Sequence, residues 1–295
     1  MEHLFLRRSG AGKNTRAVLY FFPAAALLLV FFIGPMFLSI LFSFTNLSLT
    51  GSTARSLEFV GFRNFIEIFR HRNIQRIISN TLVFLIFSGI AGQQCLGFVM
   101  AYLMKKKNPF VRRFIGFTII AGWVTPEIIC AFMFLAFFDD QGVLNSIISN
   151  LGISPVSWLF AFPMVCVVTA NIWKGSAYSM MMFQASLDNI PDEILEAGSI
   201  DGAGRFQLLT RIILPMIKGT MATTFIIVTL ATLGAFGLIY GMKGISVQTA
   251  TLSVFMYQNA FISYQIGAGM AIALFILVIG VVFSLVYTRI IKAEM

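Results

Sequence analysis

Long apolar runs with few charges are the feature that most constrains this sequence. Six stretches carry at most one charged residue each and are long enough to cross about 30 Å of hydrocarbon as α-helices. They are residues 17–44, 81–104, 114–138, 157–184, 220–240 and 267–290. The first is much longer than the apolar region of a secretory signal, which has about 7–15 residues. We therefore predict an all-α integral membrane protein with six transmembrane helices.

The composition agrees with a membrane protein. Of 295 residues, 58% are hydrophobic and 11% are charged, whereas soluble domains have about 25% charged residues. The net charge of +9 does not indicate nucleic-acid binding, because most basic residues flank the apolar runs. The three cysteines, Cys95, Cys130 and Cys166, all fall inside apolar runs and are interpreted as small hydrophobic residues, not as a disulfide framework.

The distribution of lysine and arginine predicts the orientation, because cytoplasmic segments of membrane proteins are enriched in both. With both termini in the cytoplasm, the inner segments hold the larger share: Arg7, Arg8, Lys13, Arg16, Lys105, Lys106, Lys107, Arg112, Arg113, Arg205, Arg211, Lys218, Arg289 and Lys292. The outer segments hold Arg55, Arg63, Arg70, Arg72, Arg76 and Lys243. This orientation also places the polar interval 188–218 in the cytoplasm.

That polar interval, about residues 188–218, has the pattern of two helices joined by a tight turn. Pro191 suits the start of a helix, and Asp192 and Glu193 place negative charge at the positive end of its dipole. Gly202 is expected to end this helix, because glycine adopts the left-handed conformation without a Cβ clash. A second helix then leads to Pro215 and the next apolar run. We predict a helix–turn–helix elbow, which is interpreted as a docking element.

The elbow resembles a known signature. Glu196-Ala197-Gly198, three residues, Gly202, nine residues and Ile212-x-Leu214-Pro215 are similar to the E-A-A-x3-G-x9-I-x-L-P signature of ABC importer permeases. The third position is Gly198 instead of alanine, which keeps a small residue but lowers helix stability by up to about 1 kcal/mol. The segment Val60-Gly61-Phe62-Arg63-Asn64-Phe65 also resembles one that precedes the second span in carbohydrate-type ABC permeases.

The resemblance implies a type I ABC importer permease fold with a cytoplasmic coupling helix, in a bacterial cell membrane. It implies a second homologous permease subunit as heterodimer partner, two cytoplasmic ATP-binding subunits that hold ATP and Mg²⁺, and an extracytoplasmic solute-binding protein. Sugars or oligosaccharides are the expected solutes. The residues expected to couple to the ATPase are Glu193, Glu196, Ala197, Gly198, Asp201, Gly202 and Arg205.

Three regions follow from these patterns. Residues 1–75 are predicted to comprise a cytoplasmic N-terminus, the first span and an outer interfacial segment, since apolar and basic residues alternate at near-helical spacing around residues 59–77. Residues 76–290 form the permease core with five spans, and residues 291–295 form a cytoplasmic tail. The sequence contains no candidate for a further soluble domain.

Two charged residues lie well inside predicted spans, Glu127 and Lys174, whereas Arg289 is next to the end of the last span. Charges at membrane depth cost about 2.5–3.5 kcal/mol each by insertion scales and usually face an interior or a water-filled path. With Asn171, Tyr178 and Thr224 they are the candidate solute pathway. The alternatives are a structural ion pair or snorkelling for the charges, and interhelical hydrogen bonding for the polar groups.

No catalytic set of serine, histidine and aspartate, no cysteine–histidine pair and no carboxylate dyad is visible, and His3 and His71 are the only histidines. We therefore expect no enzyme activity, metal site or cofactor site in this chain. The alternative function is an ion-gradient-driven secondary transporter of a small polar solute. That class needs broken helices and midplane carboxylates, for which only Glu127 qualifies. A membrane-embedded enzyme is a third class, disfavoured by the absence of clustered catalytic residues.

Overall fold

The computed structural model describes residues 11–51, 54 and 56–293. Arg7, Arg8 and Arg55, which enter the orientation prediction, lie outside these residues. The described residues form helices joined by loops, with one isolated antiparallel bridge between Thr45 and Phe59. We number the helices α1 to α13 and count a π-helical turn as part of the helix that contains it.

The first helices cover the N-terminal half of the chain. They are α1 (Ala11–Leu28, Leu29–Ile33 and Gly34–Ser43), α2 (Arg63–Arg70), α3 (Ile74–Met104, π-helical over Leu85–Gln93), α4 (Pro109–Val124), α5 (Glu127–Phe138), α6 (Val143–Asn150) and α7 (Trp158–Ala161). The remaining helices are α8 (Pro163–Asp188), α9 (Asp192–Ile200), α10 (Arg205–Gly234, π-helical over Leu209–Ile213), α11 (Gly237–Lys243), α12 (Leu252–Tyr257 and Gln258–Ile262) and α13 (Ile266–Ala293).

Four segments of the described chain are long and apolar enough to cross a membrane: Tyr20–Ser43 in α1, α3, α10 and Ile266–Arg289 in α13. A fifth crossing results if α4 and the segment Glu127–Asn150 are taken as one bent span. The predicted count of six is thus not reproduced by length and apolar composition. The predicted span that is missing from these crossings corresponds to α8. This helix is 26 residues long, but it contains too many polar residues to count as an apolar span.

Two predicted spans differ from the structure. The run 114–138 predicts one helix, but the chain breaks between α4 and α5 and the helix pair is bent by 103°. Pro126 lacks an N–H, and its ring disfavours the helical conformation at Thr125, whose ψ is 128°. The run 220–240 is also interrupted, because α10 ends at Gly234 and a separate helix begins at Gly237.

Helix α8 lies at the centre of the bundle. Its buried side chains include Cys166, Val167, Ala170, Met180 and Phe183, and it contacts α3, α4, α5, α10 and α11. At Gly97 of α3 the two helices approach so closely that a Cβ would lie 2.5 Å from the Cβ of Ser179. Small residues permit such close contact between membrane helices. The most polar of the long helices is therefore the one most enclosed by protein.

The predicted outer interfacial segment is partly helical, as α2. Asn64, in the segment 60–65 that resembles carbohydrate-type permeases, has a structural role. Its Nδ2 donates to the carbonyl oxygens of Ser43 and Thr45, each at 2.8 Å. These carbonyls lie at the end of α1, where no helical N–H reaches them. Gly61 has φ of +58°, which favours glycine in the turn before α2. The segment therefore fixes the end of α1 against α2.

Candidate coupling elbow and solute pathway

Helix α9 begins where the sequence predicts an N-terminus. Pro191 occupies the position before the first helical residue, with φ −57° and ψ 136°, and Asp192 and Glu193 form the first turn. The carbonyl of Pro191 accepts from the N–H of Ile194 at 3.2 Å. The two carboxylates lie beside the unpaired N–H groups of that turn, where negative charge stabilises a helix. Both side chains are exposed.

Helix α9 ends in a Schellman motif. The N–H of Ala203 donates to the carbonyl of Gly198 at 3.0 Å, and the N–H of Gly202 donates to that of Ser199 at 3.1 Å. Gly202 has φ of +84°, the left-handed conformation that this motif requires at its turn residue. Helix α10 begins directly after this turn. At its start, the side chain of Gln207 accepts a hydrogen bond from the N–H of Gly204 at 3.0 Å. The elbow is therefore held by hydrogen bonds on both sides of the turn.

Gly198 does not lie on the exposed face with Glu196 and Ala197. It is buried, and a Cβ at this position would lie 2.6 Å from Cδ1 of Ile212 and 2.9 Å from Cδ2 of Leu208. The small residue thus allows α9 to contact α10 within this chain. This contact gives a physical reason for glycine at the position where the resembled signature has alanine.

Two large apolar side chains of the elbow are strongly exposed, Ile200 at 84% and Phe206 at 75%. They lie close in sequence to the predicted coupling residues Glu193, Glu196 and Asp201, which are also exposed. Exposed apolar groups that form a patch rimmed by polar residues are typical of a docking surface. Neither residue belongs to the coupling set predicted from the sequence. Their occurrence inside a polar interval is the signal that could have identified them.

The elbow is anchored to the membrane bundle by a compact apolar cluster. Its buried members come from the ends of α3 and α8, from the elbow and from α10: Ala101, Met104, Met180, Phe183, Leu187, Ile190, Ile213 and Ile217. Beside it, Arg112 of α4 forms an ion pair with Asp188, the last residue of α8. This pair places a cation at the negative end of the α8 dipole. The elbow is therefore packed against the ends of three long helices.

Lys174 and Glu127 are in the middle of the bundle and bind different helix ends. The Nζ of Lys174 donates to the carbonyls of Trp123 at 3.2 Å and Thr125 at 2.5 Å, at the C-terminal end of α4. The carboxylate of Glu127 accepts from the N–H of Leu238 at 3.2 Å, at the N-terminal end of α11. Each charge is opposite in sign to the helix end it binds. The two side chains do not form an ion pair with each other.

The other candidate pathway residues have different environments. The Nδ2 of Asn171 donates to Oγ of Ser88 at 2.7 Å, and the carbonyl of Asn171 accepts from Gln93 at 3.1 Å. The Oγ1 of Thr224 is bonded to the carbonyl of Thr220 within its own helix. Asn171 therefore has the interhelical hydrogen bonding that is the alternative to solute contact, whereas the hydroxyl of Thr224 is bonded within its own helix. Tyr178 is half-buried, and its ring lies 6.2 Å from that of Trp123.

Helix α8 connects the elbow to the pathway candidates. Asn171, Lys174 and Tyr178 lie on α8, and Asp188 at its end leads directly into the elbow. The stretch from Asn171 to Asp188 spans about 25 Å at 1.5 Å per residue. Among the described residues, no group of three or more histidine, cysteine, aspartate or glutamate side chains could hold a metal ion.

Curated relatives match over most of the chain. The sulfoquinovosyl glycerol transport system permease protein of Agrobacterium fabrum is 29% identical over 291 residues, covering 96% of this chain and 92% of that protein. The multiple sugar-binding transport system permease protein of Streptococcus mutans is 32% identical over 263 residues, with coverage of 86% and 87%. The trehalose/maltose transport system permease protein of Thermococcus litoralis is 31% identical over 243 residues, with coverage of 79% for both chains.

A chain of the bacterial alginate ABC transporter, solved with an alginate pentasaccharide-bound periplasmic protein, has the same fold with a TM-score of 0.79. It is 22% identical, and the alignment covers 94% of each chain. Residues 94–293 match the family described as binding-protein-dependent transport system inner membrane component. This match includes α8, the elbow, Glu127 and Lys174. The chain therefore belongs to the family of inner membrane components of binding-protein-dependent ABC transport systems.

Proposed function

We propose that this chain is a transmembrane subunit of an ATP-driven importer of a sugar or oligosaccharide and forms half of its translocation pathway. The observation that carries the proposal is the elbow: a hydrogen-bonded turn with an exposed acidic and apolar surface, anchored to α3, α8 and α10. The relatives are permease proteins of transport systems for sulfoquinovosyl glycerol, trehalose/maltose and multiple sugars, which supports this solute class. A second, homologous permease subunit forms the other half of the path.

The elbow surface docks into a cytoplasmic ATP-binding subunit, with Glu193, Glu196 and Asp201 as polar contacts and Ile200 and Phe206 as apolar ones. Two such subunits hold ATP and Mg²⁺, and their closure moves the two elbows of the assembly together. The apolar cluster that anchors the elbow transmits this motion to the membrane helices. ATP binding changes the membrane packing only if it favours one of two arrangements of the bundle.

This proposal includes the orientation of the chain. Both termini and the elbow face the cytoplasm, and α8 crosses the membrane as a sixth span in addition to the bent pair α4–α5. The enclosure of α8 by other helices supports its crossing, since polar residues in a span usually face the protein interior. The test uses Ser199→Cys and Ser56→Cys, each in a chain whose three natural cysteines are replaced by serine, and treats intact cells with a membrane-impermeant thiol reagent. Modification is expected at Ser56→Cys and not at Ser199→Cys.

The solute path runs beside α8, where the half-buried ring of Tyr178 and the ring of Trp123 are close to each other. Aromatic rings offer a flat apolar face to the C–H groups of a sugar, and nearby amide groups can bond its hydroxyls. Lys174 and Glu127 position the helix ends that border this path. An extracytoplasmic binding protein delivers the solute to the outer mouth.

One observation favours the alternative, a secondary transporter driven by an ion gradient. The bend of 103° between α4 and α5 with Glu127 at the break resembles the broken helices of that class. The family match and the elbow favour the ATP-driven importer, because a secondary transporter has no ATPase to dock.

The deciding experiment is reconstitution with ATP-binding subunits from the same organism. Glu196→Lys is expected to reduce co-purification of the ATPase subunit by tenfold or more while membrane insertion is unchanged. Asp140→Lys, which makes the same charge change at an exposed position outside the elbow, is the matched control. Solute uptake that continues without ATP and stops when an ion gradient is collapsed contradicts the proposal.

A further inference from the structure

A basic cavity lies at the N-terminal end of α4, outside the elbow and the solute path. It has a volume of about 340 Å³ and is lined by Lys107, Pro109, Arg112, Arg113 and Gln184. The turn 105–108 connects α3 to α4, so the cavity lies where the chain leaves one membrane span and enters the next. No carboxylate belongs to its lining. The cavity therefore has a strongly positive character.

Among the described residues, one of the three cations of the cavity has an ion-pair partner. Arg112 binds Asp188, whereas the side chains of Lys107 and Arg113 form no hydrogen bond or ion pair with the described residues and are exposed. Lys105, two residues before Lys107, adds to the excess of positive charge. Its Nζ is buried without a hydrogen-bond partner in the described part of the chain. The N-terminus of α4, a helix of 16 residues, also carries partial positive charge. Together these groups create a positive potential that attracts an anion.

An apolar strip continues from the cavity along α4. Phe110, Phe114 and Phe117 are 77%, 66% and 73% exposed, and their spacing of four and three residues places them on one face of the helix. No residue of α4 is buried. A ligand that satisfies both regions has an anionic group for Lys107 and Arg113 and a long apolar part for the three rings. These are the properties of a phospholipid.

We propose that this cavity binds the phosphate of an anionic phospholipid, whose acyl chains lie along Phe110, Phe114 and Phe117. Basic pockets between membrane helices bind acidic lipid headgroups in this way. The bound lipid fixes α4 relative to the end of α8, because Arg112 and Gln184 line the same cavity. The lipid therefore stabilises the bundle next to the elbow.

The test measures lipid retention by the complete importer assembly. The assembly is placed in nanodiscs of phosphatidylcholine and phosphatidylglycerol and is then extracted in mild detergent. Native mass spectrometry identifies the lipids that remain bound from the mass they add. The wild type is expected to retain phosphatidylglycerol in preference to phosphatidylcholine. Each basic side chain is expected to contribute about fivefold to this preference. The double variant Lys107→Ala/Arg113→Ala is therefore expected to lower the preference about 25-fold. Lys106→Ala/Arg289→Ala removes the same net charge from residues outside the cavity and is expected to keep the preference.

Three results overturn the proposal. Equal retention of the two lipids by the wild type is sufficient to overturn it. Displacement of the lipid by millimolar inorganic phosphate assigns the cavity to a free anion. Loss of the ATPase subunit from Lys107→Ala/Arg113→Ala, with lipid preference unchanged, assigns it to a protein contact. Lys107→Arg/Arg113→Lys keeps the charge and is expected to restore the preference, so a variant that merely misfolds is distinguished from one that lost its ligand.

Discussion

The Nζ of Lys174 lies 2.5 Å from the carbonyl oxygen of Thr125. A cation in the middle of α8 thus donates a hydrogen bond to the backbone at the C-terminal end of α4, where the chain breaks. Trp123 supplies a second carbonyl at 3.2 Å. Because Pro126 cannot continue the helix, these carbonyls have no helical N–H partner. A polar group without a partner in an apolar environment is costly. Lys174 therefore acts as a cap for the break and holds α4 against α8.

Replacement of Lys174 by methionine tests this role. The substitution retains the apolar stem but removes the donor, and hydrogen bonds from charged groups contribute about 1.5–3 kcal/mol. We expect Lys174→Met to lower the melting temperature of the purified assembly measurably. Lys174→Arg, which keeps a charged donor, is the control and should lose much less. An unchanged melting temperature for Lys174→Met would show that the interaction contributes nothing to stability.

Glu127 provides a second test, which also separates the two transport mechanisms. Its carboxylate accepts from the N–H of Leu238, and a Cβ on Gly237 would lie 2.5 Å from the carboxylate oxygen Oε2. A glutamine carbonyl can accept the same bond, so Glu127→Gln is expected to retain most of the uptake rate. Glu127→Leu leaves the N–H unpaired and is expected to lower stability by about 1–3 kcal/mol. Uptake abolished in Glu127→Gln with normal stability would indicate proton transfer by this carboxylate.

The elbow is predictable because local rules determine it. Asp192 and Glu193 at the start of α9 and Gly202 at its end are signals within one short segment, and φ of +84° at Gly202 agrees with the predicted left-handed turn. The apolar runs likewise locate α1, α3 and α13. These features depend on neighbours in sequence or on contact with lipid, both of which the sequence displays directly.

The break at Thr125–Pro126 does not follow from the apolar run that contains it, although proline restricts the residue before it. Prolines are tolerated inside membrane helices, so a long apolar run with one proline still predicts a continuous span. The partners of Asn171 and Lys174 cannot be derived, since Ser88 and Thr125 are 83 and 49 residues away. Similarly, the burial of Gly198 depends on how α9 folds back on α10. Such tertiary contacts leave no local signal.

Gly202 is expected to tolerate asparagine but not valine. Its φ of +84° costs roughly 1–2 kcal/mol for a residue with a Cβ, and asparagine adopts the left-handed region more readily than a β-branched residue. Nothing would lie within 4 Å of a Cβ at this position, so the effect is one of backbone conformation alone. We expect Gly202→Val to reduce ATPase co-purification several-fold and Gly202→Asn to reduce it little. Gly204→Ala, at φ −68°, is the control, and an equal loss in all three variants would contradict this explanation.

Gly198 gives the sharpest test of the contact between α9 and α10. Alanine at this position gains up to about 1 kcal/mol of helix propensity, but its Cβ would lie 2.6 Å from Cδ1 of Ile212. Ile212→Val removes that methyl group, so that the flexible end of Leu208, whose Cδ2 would lie at 2.9 Å, is the remaining close contact. We therefore expect Gly198→Ala alone to be nearly neutral, whereas Gly198→Ala in the Ile212→Val background raises the melting temperature. A double-mutant cycle on the two positions measures the favourable coupling. Additive effects would mean that Ile212 moves aside without cost, and the glycine would then have no role in packing the elbow against α10.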